Sequence, residues 1–294
     1  MASFFKNSIG VLCRNYPIVI SLKFERLQSS SAVFPQGMQK GKVAIVTAAT
    51  SGIGLAIKHH TIARRLAKEG ANVVISSRKQ ENVTRALAEL KSEGLNISGC
   101  VCHVGNEEHQ DLLVNMTLEQ HGAIDILVSN AAVNPFVGKI VDCSKEMWQR
   151  IFDLNVTASF LLPKHVVPHM EKQGGGSIVL VSSTAGYHPI PTIAICKFSV
   201  SKTALLGLTR TLALELGPMN IRVNCMTPGL TRTRFSTILQ QSPGLNQMLT
   251  ENLHIARIGL PEECAGAVNF LCSSDASEKF PRMPVKWHVI SELF

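Results

Sequence analysis

The sequence is poor in the features that mark a membrane span, a disulfide scaffold or a metal centre. No apolar run approaches the ~20 residues a bilayer-crossing helix needs, and the longest uncharged stretch, 174–196, is broken by glycines, prolines and serines. Eight cysteines stand at positions 13, 100, 102, 143, 196, 225, 264 and 272, with no Cys-x-x-Cys pair and no Cys/His ligand spacing. That scatter argues against a zinc site and reads as free thiols in a reducing compartment. Aromatics are few, 5% of 294 residues, and only two are tyrosines, Tyr16 and Tyr187. The charged fraction is only 17% against 45% hydrophobic, which excludes intrinsic disorder, collagen and a coiled-coil rod. What remains is a globular chain long enough for a sizeable core.

Acid is nearly missing from the N-terminus. Lys6, Arg14, Lys23, Arg26 and Lys40 face Glu25 alone, so half of the formal charge of +8 lies in the first forty residues. Elsewhere no dense Lys/Arg run is interleaved with aromatics, so a nucleic-acid groove is not expected. Residues 1–40, basic and Ser-rich at Ser29–Ser31, read as a mitochondrial targeting segment, with a tail of chance composition as the other reading. Mitochondria are the expected location, with peroxisome or cytoplasm as alternatives.

From Gly41 the pattern alternates. Val43–Val46, Val73–Ser76, Ile97–Cys102, Ile124–Val128, Ser177–Val181 and Ile221–Asn224 are short β-branched or apolar runs and read as strands. Helical stretches lie between them at Asn82–Ser92, Glu107–His121, Ser144–Lys172 and Ser199–Leu216. Strands apolar throughout and separated by helices imply an α/β fold: a doubly wound parallel sheet of the Rossmann type, in one domain, with its ligand site beyond the carboxyl ends of the strands. The expected organisation is a tail to residue 40, a domain over 41–277 and an atypical end over 278–294.

The first strand runs into Thr47-Ala48-Ala49-Thr50-Ser51-Gly52-Ile53-Gly54. A Gly-x-Gly at the entrance to a helix lets backbone N–H groups approach a diphosphate, although alone it reads nearly as well as a structural turn. At the end of the second strand a carboxylate would bond a ribose 2′-hydroxyl; this chain has Ser76-Ser77-Arg78-Lys79 instead. Cations there suit a 2′-phosphate and favour NADP(H), with a solvated basic turn as the alternative.

With these motifs in this order, the chain resembles the short-chain dehydrogenase/reductase family over about residues 41–276, and within it a branch of NADP-dependent carbonyl reductases and retinol dehydrogenases. Thr47–Gly54 is similar to the family's glycine motif, with Ala48 in place of its first glycine; Ser129-Asn130-Ala131-Ala132 is similar to its Asn-Asn-Ala-Gly. The resemblance implies a cofactor site of Thr47, Ser51, Gly52, Ile53, Gly54, Ser77, Arg78, Lys79, Asn130, Lys202, Pro228, Gly229, Thr231 and Thr233. It implies hydride transfer between NADP(H) and a ketone, α-dicarbonyl or retinal and the matching alcohol, in a homo-oligomer, tetramer or dimer. Ser183 would hold the substrate oxygen and Asn155 would support a water relay. Lys202 would bind the nicotinamide ribose and lower the pKa of a tyrosine four residues before it, the general acid; a phenol near pKa 10 needs such a cation to work near neutrality.

The chain departs from that pattern in three places. The tyrosine position is Phe198, which has no proton to give, and Ser183 and Phe198 are 15 positions apart, two more than the resemblance calls for. Residues Lys58–Ile62 look inserted after the glycines; five residues at about 100° each turn the following apolar stripe by about 140°, and His59 and His60 read as exposed residues of that insertion. Beyond Ser277 the usual last strand is replaced, with Val285–Ile290 as a candidate substitute behind Pro284. Together the breaks point to a splice form or an imperfect gene model, and to a catalytically impaired NADP-binding protein as the alternative to an active enzyme.

Overall fold

The fold is described from a computed structural model over residues 37–50, 61–134, 139–187, 196–232, 258–278 and 289–291. Strands β1 (Val43–Val46), β2 (Asn72–Ser77), β3 (Ile97–Val101), β4 (Ile126–Ser129), β5 (Gly176–Val181), β6 (Ile221–Thr227) and β7 (Val289–Ser291) form one sheet in the order β3-β2-β1-β4-β5-β6-β7. Every pairing is parallel; at the carboxyl ends Val46 lies opposite Ile75 and Val128, and Val181 opposite Met226.

The sheet is apolar on both sides because helices cover both. Along β1, Ala44 and Val46 join a core with Ile62, Leu66, Val268 and Leu271, which belong to α1 (Thr61–Lys68) and α7 (Pro261–Cys272). Ile45 between them faces Leu113, Leu162 and Leu205, from α3 (Glu107–His121), α5 (Ala158–Lys172) and α6 (Cys196–Leu216). Helix α2 (Gln80–Ser92) follows β2, and α4 (Lys145–Phe152) precedes α5. Local signals set the helix ends. Asn106 caps α3 by accepting from the His109 N–H, Gly122 closes it at φ 74°, and Ser144 caps α4 by accepting from Met147.

One expectation is revised, and two others fall only in part on the described residues. The single helix over Ser144–Lys172 is interrupted by a π-helical turn at Asp153–Thr157, where the Ala158 N–H reaches back to the Asp153 carbonyl. Two residues of the apparent insertion, Thr61 and Ile62, are the buried first residues of α1; Lys58, His59 and His60 lie outside the described residues. Of the candidate last strand Val285–Ile290, Val289 and Ile290 pair together with Ser291, opposite Cys225–Thr227 of β6; residues 285–288 lie outside the described residues.

Candidate functional site

At the carboxyl end of β1 the chain turns through Thr47 and Ala48. Thr47 is fully buried, and its hydroxyl accepts from the Asn130 N–H at 3.1 Å and the Ala131 N–H at 3.4 Å. Asn130 returns its side-chain amide to the Thr47 carbonyl at 3.3 Å, so the ends of β1 and β4 are laced together. Ala48 has φ 49°, the left-handed region that a Cβ disfavours. The resemblance places a glycine there, and the backbone keeps the glycine's conformation without the glycine. Ser51, Gly52, Ile53 and Gly54 lie outside the described residues.

Beside this turn is an open cleft lined by Ala48, Ser77, Arg78, Lys79, Ala131 and Val133, among others. Ser77 is buried at the end of β2, while Arg78 and Lys79 are exposed just before the N-terminus of α2, whose positive pole adds to theirs. Among the described residues no carboxylate lines the cleft. This donor set fits an anionic, phosphate-bearing ligand. The Thr50 hydroxyl, fully buried at the mouth of the glycine segment, has no partner among the described residues, as expected of a group that bonds what the segment holds.

The second group of residues stands at the end of β5. Ser183 is extended there; its hydroxyl accepts from the Ala185 N–H at 3.2 Å and donates to the Pro228 carbonyl at 3.5 Å. Pro228 follows β6, and Thr231 donates back to the Gly229 carbonyl at 3.2 Å, so Pro228, Gly229 and Thr231 close the rim beside Ser183. Thr233 lies outside the described residues. Across from Ser183, α6 comes in tightly: a Cβ on Gly186 would meet the Lys202 backbone at 3.0 Å. That approach, sealed by the Ser182 hydroxyl on the Lys202 carbonyl at 2.7 Å, carries Lys202 to the sheet.

Lys202 is almost fully buried, and its ammonium donates to the Val181 carbonyl at 2.7 Å. Phe198 is buried one turn earlier, and the ammonium stands 5.3 Å from its ring centroid. The helix thus places an aromatic ring beside the lysine as expected for positions i and i+4, but the ring has no hydroxyl. Burial pushes the Lys202 ammonium down to about 8, with the neighbouring Cys225 pulling the other way. Tyr187, the one tyrosine near this end, is half-buried and its phenol is pushed up to about 12 by burial, with Cys225 adding to the rise and Arg210 opposing it.

Asn155 sits in the π-helical turn, fully buried. Its Oδ1 accepts from the Val133 N–H at 2.8 Å, and its Nδ2 donates to the Val133 carbonyl and the Ser201 hydroxyl, both at 3.0 Å. The sequence reading missed Ser201: Asn155 and Ser201 are 46 positions apart, and no local pattern pairs them. It also missed Cys225, whose fully buried thiol is pushed up to about 11 by burial. The six described cysteines are all free, as the scatter implied. Among the described residues no His/Cys/Asp/Glu cluster could hold a metal, and no helix is long and apolar enough to cross a membrane.

Comparison with known proteins agrees with this geometry. A family model described as enoyl-(acyl carrier protein) reductase matches residues 47–278. Dehydrogenase/reductase SDR family member 4 of Sus scrofa is 56% identical over 238 residues, 81% of this chain and 83% of that protein. Among solved structures, a 7α-hydroxysteroid dehydrogenase complexed with NADH and 7-oxoglycochenodeoxycholic acid superposes with a TM-score of 0.77 at 31% identity, covering 87% of this chain and 95% of that one. A gluconate 5-dehydrogenase from Burkholderia cenocepacia, in complex with NADP and tartrate, superposes with a TM-score of 0.75 at 27% identity, covering 81% and 90%. The chain belongs to the short-chain dehydrogenase/reductase family of oxidoreductases.

Proposed function

We propose that the chain is an NADP(H)-dependent oxidoreductase acting on a carbonyl compound (a ketone, an α-dicarbonyl or retinal) or the corresponding alcohol, with its proton-transfer step impaired. The cofactor, when bound, supplies or accepts the hydride. Arg78, Lys79 and Ser77 supply cations and a hydroxyl for a 2′-phosphate, with no carboxylate among the described residues of the cleft to repel it. Three strand spacings separate β2 from β5 in the sheet order, about 14 Å, a span that an extended dinucleotide bridges from Arg78 to Lys202. Ser183 offers a hydroxyl to a substrate oxygen.

The observation that carries the impairment is the Lys202 ammonium facing the Phe198 ring at 5.3 Å. A phenol there would donate to the developing alkoxide with its pKa lowered by the ammonium; a phenyl ring holds the ammonium and donates nothing. The reading extends to a homo-oligomer, tetramer or dimer, and to mitochondria, on the composition of residues 1–40.

Fluorescence titration with NADPH and NADH, followed by initial rates with a reactive α-dicarbonyl for the unaltered chain and Phe198→Tyr, tests it. NADPH is expected to bind at least about tenfold more tightly than NADH, the weight of one good charge-assisted contact. The tyrosine is expected to raise turnover by about 10²–10⁴-fold, the usual contribution of a positioned general acid. Equal affinity for NADH would remove the cofactor assignment. Equal rates would mean that another group delivers the proton and that Phe198 is no impairment.

A further inference from the structure

We propose that Ser201 is a positioning residue, the clamp through which the floor of the cofactor cleft sets the place of Lys202; the proposal rests on the NADP(H) reading above. Asparagine has one carbonyl and two N–H groups to offer, and in Asn155 both ends are engaged. The Oδ1 takes the Val133 N–H, while Nδ2 serves the Val133 carbonyl and the Ser201 hydroxyl. The Asn155 main-chain carbonyl is held as well, by the Ser159 hydroxyl at 3.0 Å, which in turn accepts from Ser129 of β4 at 3.2 Å. With its side chain spent in this way, Asn155 works as a strut, and its main-chain carbonyl keeps a second lone pair beyond the one that Ser159 uses.

The strut ends on α6. Ser201 is fully buried; its hydroxyl accepts from Asn155 and donates to the Phe198 carbonyl at 2.7 Å. Phe198, Ser201 and Lys202 share one helical turn. Val133, at the other end of the strut, lines the same cleft as Ser77, Arg78 and Lys79. One hydroxyl therefore couples the cleft floor to the turn that carries the ammonium. Its removal leaves the β2 end untouched, because Arg78 and Lys79 reach the cleft from a different element. The loss falls on the half of the cofactor that lies toward β5.

Ser201→Ala tests this with two ligands, NADPH and adenosine 2′,5′-bisphosphate, which carries only the adenine-side half of the cofactor. NADPH affinity is expected to fall about five- to tenfold, the weight of one buried hydrogen bond, while the bisphosphate stays within about twofold. Asn155→Ala should give the same split, and the double variant should lose no more than the worse single one, since both cut the same strut. Equal loss for both ligands, or none for either, overturns the inference and leaves the cofactor assignment standing. An unaltered chain that binds neither ligand removes the cofactor assignment, and this inference with it. Amide exchange without ligand gives a second readout. In Ser201→Ala the Val133 amide should exchange faster, while the Asn130 amide, held by Thr47, keeps its rate. Unchanged exchange at Val133 overturns the proposal.

Discussion

The two ends of the site are built on different terms. At the β1–β2–β4 end the Thr47 hydroxyl takes two backbone N–H groups, and Arg78 and Lys79 remain in water. At the β5–α6 end an ammonium is taken out of water with no carboxylate beside it among the described residues; a strand carbonyl and a phenyl ring stand next to it. Water-facing cations cost the fold little, whereas a buried ammonium lowers its stability. On the proposed function, the cations that face a phosphate and the residues of proton transfer stand on separate elements. A single change, tyrosine to Phe198, therefore falls on the second and spares the first.

Replacing the ammonium sharpens that contrast most. Burial holds Lys202 at about 8, below the 10.5 of a free lysine. Below pH 8 the folded and unfolded chains both carry the proton, and the fold bears the full penalty of burying it. Between pH 8 and 10.5 the folded chain sheds the proton first, so the penalty is relieved as pH rises. Lys202→Met is therefore expected to raise stability at pH 7 by up to about 3 kcal/mol. The gain should shrink toward zero by about pH 10.5. The buried Cys225, pushed up to about 11, gives both proteins an opposite slope above about pH 9, so the measurement is the difference between their urea midpoints at each pH. NADPH affinity should drop in the same variant, a trade of stability for function. A Met variant less stable than the parent at pH 7 would place the ammonium in a favourable environment and erase the contrast between the two ends.

Much of this was legible in the sequence, and the reasons for the rest are specific. The run Val43–Val46 is apolar on every residue, and the sheet buries every residue of it. The interval from Lys202 back to Phe198 revealed the missing phenol without coordinates, because a helix places i and i+4 on one face. The π-helical turn at Asp153–Thr157 was not legible: a π turn needs one residue more than an α turn and leaves no compositional mark. Nor was the Asn155–Ser201 bond, which depends on how two helices cross. The place of Thr61 and Ile62 in α1 was not legible either, because an apparent insertion, judged by length, says nothing of which residues the helix then takes up. β7 was seen only in outline, since a three-residue edge strand is defined by its neighbour β6 rather than by its own pattern.

At the other end, Thr47→Val keeps the shape and removes the hydroxyl. The Asn130 and Ala131 N–H groups then lose their acceptor, at a cost of about 1–3 kcal/mol for buried donors left unmade. Urea unfolding should show a lower midpoint with an unchanged slope. NADPH affinity should fall too, because Asn130 and Ala131 line or adjoin the cleft. A change below about 0.5 kcal/mol would mean that Asn130 is held by its side-chain amide alone.

The smallest effect bears on Ala48. Its φ of 49° sets the Cβ close to the following carbonyl oxygen, a conformation costing an L-residue about 1–2 kcal/mol. Ala48→Gly removes that strain but gives the unfolded chain more freedom, worth about 0.5–1 kcal/mol in the other direction. The net expectation is a gain of up to about 1 kcal/mol, read as a rise in the urea midpoint. Paired with Phe198→Tyr, this variant separates two departures from the family pattern that the sequence shows side by side. The glycine should improve stability with little effect on turnover, and the tyrosine should raise turnover. If Ala48→Gly raised turnover as strongly as Phe198→Tyr, the turn after β1 would govern the chemistry as well as the binding, and the division of labour between the two ends would fail.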